Sequence, residues 1–126
     1  MYIVNKYTFK FTIHTSPSRG SGTNANVYVQ LFGCDGSSTE KHFLCPDRLD
    51  RRSKFESGQA DAFVVELKNV GKLEKLRIGH DDSGFKSGWH LEKVVVRTMI
   101  SEAESEETEF VANRWLASDE GNVNKE

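Results

Sequence analysis

Alternation of apolar and polar residues runs through most of the chain. In residues 7–14 the odd positions Tyr7, Phe9, Phe11 and Ile13 are apolar, and the even positions Thr8, Lys10, Thr12 and His14 are polar. That is the pattern of a strand with one buried face and one wet face. Residues 26–32 place Val27, Val29 and Leu31 on one face and Tyr28 and Gln30 on the other, and residues 62–67 and 75–80 read the same way. The longest run, 89–97, changes parity between Trp89/Leu91 and Val94/Val96. A β-bulge, which inserts one extra residue into a strand, produces that slip. Turn-forming residues punctuate the runs at 16–22, 33–38, 69–71 and 81–84. Short strands parted by such signals, with no stripe at helical spacing, predict an antiparallel sandwich or barrel and not a crossover α/β fold.

Composition makes this one folded module. The chain has 126 residues, the size of an ordinary domain. Leu, Ile, Val and Phe make up about a quarter of it, and the formal charge is −2. Both values lie away from the disordered class, which combines low apolar content with high net charge. No apolar run approaches the roughly 18–20 residues of a membrane-spanning helix, and residues 1–6 lack the anatomy of a signal peptide. The near-neutral charge argues against a nucleic-acid partner. Cys34 and Cys45 match no zinc or redox spacing. A bridge between them is geometrically open, two free thiols are the expectation, and a reducing, intracellular setting follows.

Two segments break the alternation. Residues 48–54 are basic, with Arg48, Arg51, Arg52 and Lys54, and residues 102–109 are acidic. Both are expected as solvated loops. The basic one suits an acidic partner or anionic lipid, and the acidic one repels both. Residues 1–117 are expected to form the domain, and 118–126 a polar tail or the start of a linker.

No catalytic constellation stands out. Residues 20–22 lack the nucleophile elbow, the four histidines share no metal-ligating spacing, and no phosphate-cradling loop is present. The chain is not expected to be an enzyme. Two loops carry ligand-like oxygens. Residues 20–26 combine glycines with Asn24 and Asn26, and residues 80–84 place Asp81 beside Asp82 at a strand exit. Hard cations such as Ca²⁺ take oxygens of these kinds, although turns use the same residues for their own reasons.

Five blocks in order resemble the PLAT domain, the polycystin/lipoxygenase/α-toxin sandwich also called the lipoxygenase-homology (LH2) domain. They are residues 22–29, beginning Gly22-Thr23-Asn24-Ala25; 54–63, with Phe55, Glu56, Gly58, Gln59 and Asp61; 76–84, with His80-Asp81-Asp82; 88–94, beginning Gly88-Trp89-His90; and 110–116, ending Asn113-Arg114-Trp115-Leu116. The resemblance spans about residues 7–117. It implies an eight-stranded sandwich of two four-stranded antiparallel sheets and a non-catalytic module beside a catalytic or membrane-spanning partner. Members of the family contact lipid surfaces or other proteins, several of them with Ca²⁺.

Carried over by position, the Ca²⁺ ligands would be the Gly22 carbonyl, Asn24, Asp81 and Asp82. Asn24 stands where Asp is common, and Gly20 where some members place an acid, so weak affinity or none is expected. Phe85 beside Lys86 is the candidate for insertion into lipid, with folding back onto the sandwich edge as the alternative. Trp89 and Trp115 are expected as framework packing residues, and Arg114 as structural. Arg48, Arg51 and Arg52 are the candidate surface for a membrane or scaffold protein. The favoured expectation is a protein-interaction module tethering its parent at or near membranes, with Ca²⁺-dependent targeting to anionic phospholipid as the alternative. The implied setting is the cytoplasmic face of a membrane or a cell projection such as a stereocilium.

Overall fold

Burial follows the predicted alternation strand by strand. The computed structural model describes residues 5–47, 54–81 and 88–116, and the backbone of 122–124. Its strands are β1 (Lys6–Thr15), β2 (Val27–Gly33), β3 (His42–Phe43), β4 (Ala60–Lys68), β5 (Leu73–His80), β6 (Trp89–Met99), β7 (Ser105–Leu116) and β8 (Asn122–Asn124). They form two four-stranded sheets, β4-β1-β6-β7 and β3-β2-β5-β8. Every pairing is antiparallel. The fold is the expected eight-stranded sandwich.

The core lies between the inward faces. Phe9, Phe11 and Ile13 of β1 and Val94, Val96 and Phe110 of β6 and β7 pack with Val27, Val29, Leu31, Leu76 and Ile78 from the other sheet. The parity slip in β6 is a bulge. His14 faces Lys93 but Thr15 faces Leu91, so Glu92 has no partner on β1. That extra residue turns Leu91 and Trp89 inward beside Val94 and Val96. The Trp89 indole N–H donates to Thr15 Oγ1 at 3.0 Å, which satisfies its polar atom inside the core.

Three elements differ from the sequence-based expectation. The acidic run is only partly a loop, because residues 105–109 open β7 and pair with β6. Thr108 and Phe110 point inward while Glu107 and Glu109 point out. These two carboxylates meet Arg97 at 2.8 Å and Lys93 at 3.5 Å across the sheet. The two-residue β3 is too short to show alternation. Within the expected polar tail, Asn122–Asn124 pairs with β5 as β8.

Two ends of the sandwich matter. At one, Val27 pairs with His80 and Thr15 with Leu91, so the β1–β2, β3–β4 and β5–β6 connections meet there. At the other lie the β2–β3, β4–β5 and β6–β7 connections. Asp47 and Lys54, which bracket the basic segment, belong to the first end, whereas the acidic β6–β7 turn belongs to the second.

Candidate functional site

Backbone bonds tie the β1–β2 connection to the β3–β4 connection and to the start of β6. Gly58 N–H donates to Ser16 O at 3.0 Å, Thr23 N–H to Phe55 O at 3.1 Å and His90 N–H to Ser21 O at 2.8 Å. Gly22 is required where it stands, since a Cβ there would lie 2.7 Å from the Phe55 carbonyl oxygen. Phe55 adopts a positive φ of 57°, a conformation uncommon for a bulky residue. Asp61 holds it there. One carboxylate oxygen accepts from Phe55 N–H at 2.8 Å, and the other accepts from Gln59 Nε2 at 2.6 Å. The Phe55 ring then stacks on Phe63 and meets Trp89 edge-on, with centroids 5.6 and 5.5 Å apart. The block from Lys54 to Phe63 is thus a clamp for this turn.

A cleft of about 220 Å³ opens beside it, lined by Gly22, Thr23, Asn24, Phe55, Glu56 and Ser57. Farther along the same loop, Asn26 N–H donates to Asp81 Oδ1 at 3.0 Å, and Asp81 N–H donates to Asn26 O at 3.1 Å. Gly22, Asn24 and Asp81 are therefore brought to one end of the molecule. Asp82, Phe85, Lys86, Arg48, Arg51 and Arg52 lie outside the described residues.

Among the described residues, no three His, Cys, Asp or Glu side chains come together in a metal-holding group. A different signal is present. Asn26 Oδ1 and Ser21 Oγ are both buried without a hydrogen-bond partner. An unpaired buried polar atom costs about 1–3 kcal/mol, so native structures contain few. Both atoms belong to the loop that carries Gly22 and Asn24. An amide oxygen, a backbone carbonyl and a carboxylate are oxygen donors of the kind that a hard cation takes. The residues present fit Ca²⁺ in kind. Their low charge places such a site at the weak end of the range.

The sequence marks Asn26 as a ligand-like amide of its loop but leaves it out of the ligand set carried over by position, and it does not point to Glu56. Glu56 stood in a recognised block, but only the fold shows that it lines the same cleft as Asn24. Trp115 is a correction. Expected as a packing residue, it is 55% exposed on the outer face of sheet β4-β1-β6-β7. It faces His90 across the strands, because Leu116 opposite Trp89 takes the inward position. Its ring stands edge-on to His90 at 5.1 Å, and His90 is hydrogen-bonded to Ser16 Oγ. His80, by contrast, is buried and donates from Nε2 to the Leu116 carbonyl at 2.8 Å, a structural tie between sheets. Cys34 is exposed and Cys45 buried, both as free thiols.

Residues 9–126 match the family model described as PLAT/LH2 domain. Over 114 residues the chain is 40% identical to Lipoxygenase homology domain-containing protein 1 of Mus musculus, covering 89% of this chain and 6% of that protein. It is 32% identical over 117 residues to Polycystin-1-like protein 3 of Homo sapiens, covering 92% of the chain and again 6% of the relative. The chain therefore spans only a small fraction of the curated relatives it matches. Among solved structures, a calcium-dependent 11R-lipoxygenase superposes with a TM-score of 0.72 at 29% identity, over 94% of this chain and 17% of that one.

Proposed function

Because the chain belongs to the PLAT/LH2 domain family, we propose that it is a non-catalytic docking module of a longer protein. It grips a membrane or scaffold protein with its loop end and tethers its parent at or near a membrane. Trp115 is the observation that carries this reading. A large ring left 55% exposed, yet steadied by His90 and Ser16, offers wide contact area with little ordering cost. Trp is enriched for that reason among the residues that dominate binding energy. The basic side chains of Arg48, Arg51 and Arg52 suit an acidic face on such a partner. Its setting is the cytoplasmic face of a membrane or a cell projection such as a stereocilium.

The test is site-specific photo-crosslinking in the tissue extract of origin. A photoreactive phenylalanine at position 115 should trap a discrete protein, and the same probe at Val64, on the β4 edge, should not. Charge reversal by R51E/R52E should weaken the trapping. Equal crosslinking from both positions sinks the proposal.

A second reading is favoured by the unpartnered Asn26 Oδ1. Here Gly22, Asn24, Asp81 and Asp82, joined by Asn26 and Glu56, hold Ca²⁺, and Phe85 beside Lys86 enters an anionic phospholipid surface. Support comes from the solved relative described as calcium-dependent. Phosphatidylserine vesicles should then sediment the chain with millimolar Ca²⁺ and release it to chelator. Equal absence of binding in both conditions rejects this reading.

A further inference from the structure

The opposite end of the sandwich holds a larger groove with a different chemistry. About 470 Å³ opens between the end of β4 and the segment leading into β3, lined by Lys6, Lys41, His42, Lys68, Glu40 and Glu66 with the hydroxyl residues Ser38 and Thr39. That volume lies within the range of small-molecule sites.

Its lysines are placed in an unusual way. Lys6 and Lys68 are direct cross-strand partners on β1 and β4. Like charges set opposite each other in a sheet destabilise it. The same sheet contains a second such pair, Lys10 opposite Arg97, and there Glu107 offsets the repulsion at 2.8 Å from Arg97. No described carboxylate forms an ion pair with Lys6 or Lys68, although Glu40 and Glu66 line the same groove. The carboxylate of Asp35 feels Lys68 only as the smallest of its influences; hydrogen bonds from Ser37 come first in holding it below the usual carboxylate range. Lys41 also lines the groove, from the segment leading into β3, while its ammonium rests 4.6 Å from the Tyr28 ring centroid. Three lysines and a histidine, carried by both sheets, thus line one opening.

We infer that this groove binds a polyanion bearing phosphomonoester groups, of the inositol polyphosphate class, free or as a lipid headgroup. Ammonium groups bind tetrahedral oxyanions as point charges with three donors each. A multiply charged phosphate relieves the Lys6–Lys68 repulsion. The groove lies at the end away from Asn26 and Trp115, so it is independent of the docking and Ca²⁺ readings above.

The experiment is an amide NMR titration of the 126-residue chain with inositol hexakisphosphate, beside flotation with vesicles containing phosphatidylinositol 4,5-bisphosphate. Shifts should centre on Lys6, residues 38–42 and residues 66–68. K6Q and K68Q should each weaken binding about five- to tenfold at low salt, the scale of one charge-assisted contact. E66Q should tighten it. The lysine variants remove a like-charge repulsion from exposed positions, so their Tm should hold or rise, which separates lost binding from lost fold. Binding of the soluble probe alone assigns a free ligand, and flotation that K68Q abolishes assigns a headgroup; both support the site. Shifts centred on the loop end or on Lys75 and Arg77, or an affinity unchanged in K6Q/K68Q, would overturn it.

Discussion

Asp61 shows how much one side chain can hold at the residue scale. Its carboxylate satisfies the buried Phe55 N–H and fixes a residue at positive φ, and the Phe55 carbonyl in turn receives Thr23. D61A should destabilise the chain by about 2–4 kcal/mol, combining an unpaired buried N–H with release of a strained turn; urea unfolding would measure it. Gly33 makes a sharper case. A Cβ there would lie 1.9 Å from the Val70 carbonyl oxygen of the β4–β5 turn. G33A should cost about 3 kcal/mol or more, because backbone has to move. G71A, at φ 72° with open space around it, should cost only about 1 kcal/mol. The sequence marks both glycines as turn residues and cannot rank them, since the contact that separates them joins positions 33 and 70.

For the strands, parity is the governing quantity. The alternation in β1, β2, β4 and β5 and the slip in β6 were legible because each inward position contributes its own apolar residue. The β6 bulge also yields a strong prediction. Deleting Glu92 should remove the bulge and restore strict alternation, with Trp89, Leu91, Val94 and Val96 all on the inward face and Thr15 still opposite Leu91. The deletion variant should therefore keep the near-UV circular dichroism of a packed tryptophan. A lost signal would show that the bulge itself, and not only the parity it corrects, is needed to seat Trp89. β7 was obscured because its outward positions carry glutamates in an uninterrupted acidic run, while Thr108, a polar residue, takes an inward place. Tyr28 and Trp115 show the converse. Both face outward, yet Tyr28 is covered by Phe43 and Lys41, whereas Trp115 is left open. Sequence spacing cannot tell the two apart.

Across the whole molecule, the sandwich separates two candidate sites onto opposite ends. A Ca²⁺ site with a dissociation constant of about 1 mM would stabilise the chain by about 1.4 kcal/mol at 10 mM Ca²⁺, or about 3–6 °C in Tm. N26A should abolish that rise, and K68Q should leave it intact. A rise that survives N26A would remove Asn26 from the ligand set. The sequence by itself determined the class of fold, the inward residues of most strands and the β6 bulge. All of these depend on neighbours within a few residues, where strand periodicity and turn chemistry act. Tertiary structure alone decided that Asn26 keeps a buried oxygen unpaired, that Trp115 faces solvent, and that Lys6 and Lys68 stand opposite each other beside Lys41. Those facts depend on register and on which ends of two sheets meet. Residues 6 and 68 are distant in the chain, and only the pairing of β1 with β4 makes them neighbours.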